Sequence, residues 1–275
     1  MKYAITYHKD FKYFDQVDEV IFIVSKGNPS SITEYIPSIL PNENQRAIFD
    51  ICSYTGDLDK ILPAILTLKQ THKVAVKLYR QWTDKIEKLK ENDIPYFFIN
   101  IPRTLEQVYS LANSGVSDIY ITEELAFRMK ELQSIRSLFG IKYRVFPDVT
   151  QCSPGTKELI PPITNFFIRP EDTEIYEDVV DVFELFRQDM GISTVYDIYK
   201  RRVWDGLVSD YLCDSESLNF SNGSLPPHFG QMRLDCKKKC LSLACDFCRS
   251  AEAFARETDK ANISITREEY KGEDI

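Results

Sequence analysis

A chain of 275 residues with 43% hydrophobic and 12% aromatic content can bury a sizeable core, in one large domain or two small ones, and needs no staples to fold. Its formal net charge of -8 argues against a broad nucleic-acid-binding surface, because phosphate contacts draw on a concentrated excess of Lys and Arg; a local basic patch remains compatible with it. No apolar run approaches the roughly 20 residues that span a bilayer, and Met1, Lys2, Tyr3 and Ala4 do not open a long secretory stretch, so the expectation is a soluble, cytoplasmic protein with no membrane partner.

Short β-branched and aromatic runs alternate with longer stretches of helical spacing, the pattern of repeated βα units. In chain order the predicted strands are Tyr3 to Tyr7, Glu19 to Ser25, Ala47 to Cys52, Lys73 to Tyr79, Tyr96 to Ile101, Asp118 to Thr122, Lys142 to Phe146, Asn165 to Ile168 and Asp181 to Phe186. Most are short apolar runs, as strands buried on both faces should be. The clearest helices between them are Leu58 to Gln70, Thr83 to Glu91, Thr104 to Ser114 and Glu124 to Phe139. Thr104 is a good N-cap, with Gln107 placed to complete a capping box, and Gly140 stands where the fourth helix should stop.

Eight or so successive βα units favour a closed (β/α)8 TIM-barrel-like domain, with one of the nine candidate strands left as an edge or an error. An open doubly wound sheet is the rival, but no dinucleotide fingerprint or Walker loop is present. The barrel is expected over residues 1–190. A carboxy-terminal helix and a Cys-rich metal-binding segment follow over 191–257, and a flexible charged tail over 258–275. Thr194 to Leu212 reads as one amphipathic helix with Val195, Ile198, Tyr199, Val203 and Trp204 on its apolar stripe, and Ser215 to Gly230 reads as a loop.

Seven cysteines are an odd number, and four of them, Cys236, Cys240, Cys245 and Cys248, fall within thirteen positions. That distribution fits a reducing compartment and a metal better than a disulfide framework. Residues four apart share a helical face and residues three apart pinch a metal within a turn, so the four thiolates can converge on one centre. Two chemistries satisfy this: a 4Fe-4S cluster, favoured by the short gap between Cys240 and Cys245, and a structural zinc. Lys237, Lys238, Lys239 and Arg249 surround the thiolates and would lower their pKa, or would simply form a solvated face. The basic segment is also where a protein partner or RNA would bind. Cys52, Cys152 and Cys213 read as ordinary half-buried residues with a minor claim to a site role. Three histidines are too few for a multi-histidine centre; His72 should face solvent, and His228 is a secondary candidate ligand.

In a barrel, polar groups at the carboxyl ends of strands line the active face, which gathers His8, Lys26, Asp50, Lys77, Asn100, Glu123, Asp148, Arg169 and Glu184. Arg169 could clamp a carboxylate or phosphate, and Glu123 or Asp148 could act as general base; these three are the catalytic candidates. For each, the competing reading is a solvated or paired strand-end charge.

Three stretches resemble the collagenase-like U32 peptidase family. Tyr3 to His8 leads through Phe11 to Val17 into Asp18, Glu19, Val20, Ile21 and Phe22, where the family has an Ala-Asp-Glu-Val-Tyr-like strand. Gly115 to Glu124 (Gly-Val-Ser-Asp-Ile-Tyr-Ile-Thr-Glu-Glu) resembles the family's Gly-Ala-Asp-Ala-Ile-Ile-Val-Gln-Asp strand, and Phe167 to Asp172 resembles a later element. The resemblance spans about residues 3–190. It implies a barrel and, for the non-protease branch, an iron–sulfur cluster on four cysteines serving hydroxylation of RNA bases or quinone precursors. Two departures stand out: the cysteines crowd near the carboxy terminus, and the family's longer peptidase signature is not recognisable. The resulting expectation is a U32-like barrel with a four-cysteine 4Fe-4S cluster that assists hydroxylation of a nucleic-acid base or small aromatic substrate. The alternatives are a zinc-stabilised binding or assembly module without catalysis and, last, a U32-type peptidase.

Overall fold

A computed structural model describes residues 2–24, 36, 39–40, 42–122, 125, 128–148, 167–185, 191–212, 219–227, 229–235, 250–251 and 253–260. The chain divides into two compact units, one of residues 1–146 with 176–193 and the other of residues 147–175 with 194–275.

The first unit is a closed barrel of eight parallel strands in sequence order: β1 (Lys2–Thr6), β2 (Glu19–Ile23), β3 (Arg46–Asp50), β4 (Lys73–Leu78), β5 (Tyr96–Phe98), β6 (Asp118–Tyr120), β7 (Lys142–Val145) and β8 (Val182–Leu185). Closure is made by β1 and β8, which pair from Lys2 with Val182 to Ile5 with Leu185. Eight of the nine predicted strands are these. The ninth, Asn165 to Ile168, supplies no strand among its described residues; the Ile168 N–H instead meets the Pro147 carbonyl at 3.1 Å. Successive side chains alternate between the two faces of a strand, and here both faces are buried. Outward residues such as Ile5, Val20, Ala47, Val74 and Phe183 are 0–4% exposed, while Ala4, Ile21, Ile48, Ala75, Phe97, Tyr120 and Val182 form one interior cluster. Two-sided burial is why the strands read as apolar runs rather than as clean alternations.

Among the described residues, the helices between the strands include α1 (Leu62–Lys69), α2 (Thr83–Glu91), α3 (Leu105–Asn113) and α4 (Met129–Phe139). The predicted helix Leu58 to Gln70 is split into a 3-10 turn Leu58–Lys60 and α1, with Pro63 in the first turn, where a missing N–H costs nothing. Thr104 caps α3, its hydroxyl accepting the Gln107 N–H at 3.3 Å, while the Gln107 side chain accepts the Arg103 N–H at 2.7 Å. Gly140 ends α4 in the left-handed region at φ 68°, its N–H on the Arg136 carbonyl at 2.8 Å. Among the described residues, no helix is long and apolar enough to cross a membrane.

The second unit contains most of α5 (Ile192–Arg201), 3-10 turns at Val208–Asp210 and Asn222–Ser224, a short helix α6 (Phe229–Leu234) and helical residues 253–260. The single helix expected over Thr194 to Leu212 ends early. Arg202 takes φ 58°, and its N–H turns back onto the Ile198 carbonyl at 3.1 Å, which leaves Val203 59% exposed rather than on an apolar stripe. The core of this unit is aromatic and hydrogen-bonded. Tyr199 donates to the Ile168 carbonyl at 2.9 Å and packs edge-on against Tyr211, which donates to Asn222 Oδ1 at 2.8 Å. Asn222 Nδ2 in turn donates to Glu171 Oε1 at 2.7 Å.

Candidate functional site

Barrel interiors are usually filled by layers of Val, Ile and Leu. Here a chain of charges runs through the apolar cluster from one end of the strands to the other. Glu19, Arg46 and Asp118 are the first residues of β2, β3 and β6; Asp50 ends β3, and Lys77 lies next to the end of β4. Arg46 makes two 2.9 Å bonds to the Asp118 carboxylate and a 3.4 Å bond to Glu19. Arg144, fully buried, reaches Glu19, Asp118 at 3.2 Å, and Glu184 Oε2 through both Nε at 3.1 Å and Nη2 at 2.9 Å. Glu184 also accepts from Tyr120 at 2.7 Å and from Lys77 at 3.2 Å, and Lys77 pairs with Asp50 at 3.1 Å. Four of these contacts, Arg46 to Asp118, Arg144 to Glu19, Tyr120 to Glu184 and Lys77 to Glu184, join strands that are not neighbours in the sheet, so they cross the interior.

Four carboxylates face three cations in this network, leaving one negative charge in excess. Half-buried Lys142, at the amino-terminal end, is held below its ordinary range by burial and by Arg46, against the pull of Asp118 and Glu19. Aromatic rings lie against the cations: Arg144 sits 4.9 Å and Arg46 5.9 Å from the Phe97 centroid, and Lys77 lies 5.6 Å from that of Tyr120.

Pairing overrides burial at Asp118, Glu184 and Lys77. Burial raises the Asp118 carboxyl, but Arg46 and Arg144 outweigh it and hold it well below the usual carboxylate range. Glu184 is likewise held low, against its own burial, by Lys77 and Arg144. Burial would strip Lys77 of its proton; Glu184, Tyr120 and Asp50 keep it an ammonium far above its ordinary range. Burial and Glu184 push the Tyr120 phenol up, so it serves as a donor. Cys52, beside the mouth with its N–H on Asp50 Oδ1 at 3.0 Å, is raised by burial and by Asp50, which leaves it a thiol rather than a nucleophile.

Of the nine strand-end residues gathered by the sequence, the structure brings Asp50, Lys77 and Glu184 together. His8 is tied into a local turn, its Nδ1 accepting the Asp10 N–H at 3.3 Å, and Asn100 is exposed. Lys26 and the catalytic candidate Glu123 lie outside the described residues. Asp148 and Arg169 belong to the second unit. Asp148 is buried there, and the Arg169 guanidinium is clamped by Asp172 at 2.7 and 3.1 Å and stacked over Phe229 at 5.7 Å. Its fork is thus already filled by a carboxylate of its own chain. The Gly230 N–H completes this clasp at 3.0 Å from Asp172 Oδ2. His72 is not simply solvent-facing: half-buried, it bonds through Nε2 to the Leu40 carbonyl at 3.0 Å.

Cys236, Cys240, Cys245 and Cys248, together with His228, Cys152 and Cys213, lie outside the described residues. Among the described residues, no group of three or more His, Cys, Asp or Glu could hold a metal. The residues on either side of the four cysteines are described. α6 comes before them, and after them Arg256 lies 5.4 Å from the Phe220 ring centroid and Asp259 accepts the Ser221 N–H at 3.2 Å.

The sequence reading missed Glu19, Arg46, Asp118, Tyr120 and Arg144 as a group. The available signal was a charge inside an otherwise apolar strand, as in Arg-Ala-Ile-Phe-Asp at 46–50 or Lys-Tyr-Arg-Val at 142–145. Burial on both faces turns such a charge into an interior one.

Fold and site together define a (β/α)8-barrel protein with an ionised interior that reaches the carboxyl ends of its strands. No family model matches the sequence, and no curated protein matches it. Among solved structures, an aldo-keto reductase from Bacillus halodurans in its apo form is similar at 12% identity, over 78% of each chain, with a TM-score of 0.32.

Proposed function

We propose that this chain is a barrel protein that holds a 4Fe-4S cluster on Cys236, Cys240, Cys245 and Cys248 and assists oxidative modification, hydroxylation above all, of a nucleic-acid base or a small aromatic molecule. The observation that carries the reading is the set of four thiols within thirteen positions. The donor set suits the group, since four cysteines are the usual complement of such clusters and their spacing varies widely between proteins. When bound, the cluster supplies electron transfer.

The other tasks fall to the chain's own residues. Lys237, Lys238, Lys239 and Arg249 offset the charge of the thiolates and offer RNA or a protein partner a local basic patch on an otherwise acidic chain. The barrel contributes the Asp50, Lys77 and Glu184 group at the end where barrel proteins bind substrates. The resemblance to the U32 family supports the same assignment, and a cytoplasmic location suits thiols that must stay reduced.

Anaerobically purified protein should be brown with broad visible absorption, and Cys245→Ser or Cys248→Ser should bleach it. A colourless anaerobic preparation with one zinc per chain would replace this reading with that of a zinc-stabilised assembly module.

A further inference from the structure

We infer that the carboxyl-terminal mouth of the barrel binds an uncharged ligand through a primary or ring amide, with Lys77 donating to its carbonyl and Asp50 accepting from its N–H. The two polar groups stand side by side, Lys77 Nζ 3.1 Å from Asp50 Oδ2, and both reach the surface slightly, at 7% and 14% side-chain exposure. An ammonium has three hydrogens. Glu184 and Asp50 take two of them, and the third has no partner among the described residues. Asp50 is oriented by the Cys52 N–H on Oδ1, and its Oδ2, shared among the described residues with Lys77 alone, keeps acceptor capacity. The mouth therefore shows one donor beside one acceptor, both already fixed.

Among the described residues, apolar side chains stand at the ends of three strands near this pair. Ile23, the residue after next from interior Ile21, is 41% exposed at the end of β2. Ile99 extends the β5 ladder through its N–H on the Leu78 carbonyl at 3.1 Å, and half-buried Phe146 packs on the interior cluster. An apolar rim with a few converging polar groups is the usual make-up of a small-molecule site.

Charge selects the ligand. An anion would meet Asp50 and Glu184, and a cation would meet Lys77, whereas a neutral acceptor-donor pair matches both partners. An acyclic secondary amide is trans and turns its carbonyl and N–H to opposite sides. Only a primary amide or an amide within a small ring presents the two on one edge.

This deepens the reading of the barrel as the part that holds substrate, yet it is tested on binding alone. Benzamide should bind the full-length chain in ligand-observed NMR titrations whether or not iron is present, so loss of the cluster reading would leave it standing, and the reverse. The test series keeps one phenyl ring: benzamide, N,N-dimethylbenzamide without the donor, benzoate as anion and benzamidine as cation. Benzamide should bind at least about tenfold tighter than each of the others, the worth of one hydrogen bond to a charged partner. The near-isosteric Asp50→Asn should erase the advantage over N,N-dimethylbenzamide, and Lys77→Met should abolish benzamide binding in protein that keeps its far-UV circular dichroism. Should Lys77→Met not fold, the wild-type series and Asp50→Asn decide alone. No benzamide binding, equal or tighter binding of benzoate or benzamidine, or an unchanged ranking in Asp50→Asn would each overturn the proposal.

Discussion

Replacing Arg144 by Met tests whether the charged interior acts as one unit. The substitution keeps most of the stem but removes the guanidinium from Glu19, Asp118 and Glu184. Taking one partner from a buried pair costs about 3–5 kcal/mol, because the other charge is left without compensation. Three carboxylates would push the loss to the top of that range. Each keeps another cation, however, Arg46 for Glu19 and Asp118 and Lys77 for Glu184, so about 4 kcal/mol is the expected loss. In urea denaturation followed by far-UV circular dichroism this appears as a lower midpoint at unchanged slope, and in thermal scans as a fall of about 8–16 °C. Adding Glu184→Gln should make the double variant about 1–3 kcal/mol more stable than the sum of the single losses, since the second change removes a charge the first left unpaired. A loss below about 1 kcal/mol for Arg144→Met, or strict additivity in the double variant, would show that the charges act independently and that the interior is not the network drawn from these distances.

Acid should loosen the barrel. Asp118 and Glu184 are held below their ordinary range, so their contribution is complete above about pH 4, where carboxylates of the unfolded chain are ionised, and is lost as pH falls toward their folded values. Urea midpoints should therefore be level from pH 7 to about 5 and drop steeply below about 4; a midpoint as high at pH 3 as at pH 7 would contradict this. Thr104→Ala removes the α3 cap and should cost about 1 kcal/mol in the same assay. Gly230→Ala brings a Cβ within 2.5 Å of the Asp172 carboxyl carbon and should cost about 1–3 kcal/mol. Gly223→Ala, whose Cβ among the described residues meets Ser221 Oγ alone, at 3.8 Å, should change the midpoint by less than about 0.5 kcal/mol.

Much of the barrel was legible because its strands are short runs of Val, Ile and Phe separated by polar helices, and periodicity finds such elements directly. Apolar content alone could not tell the described residues Phe167 and Ile168 from a strand, since buried residues outside a strand have the same composition. The early stop of α5 was hidden because Arg202 takes a positive φ that side chains seldom adopt and no glycine or proline announced it. At the site, rules about strand ends found Asp50, Lys77 and Glu184. The partners that keep Lys77 charged lie deeper. Arg144 and Asp118 look like ordinary surface charges until strand register turns them inward. Arg169 shows the converse: its residue type suggested a ligand clamp, and the carboxylate it holds is Asp172, three residues away.

The central claim concerns Cys236, Cys240, Cys245 and Cys248, and its most direct test is the iron, acid-labile sulfide and zinc content of the anaerobically purified full-length chain. The account predicts about four iron and four sulfide per chain, in keeping with a single four-cysteine cluster, and a loss of both in Cys245→Ser. Stoichiometric zinc with no sulfide, or no bound metal at all, would contradict it.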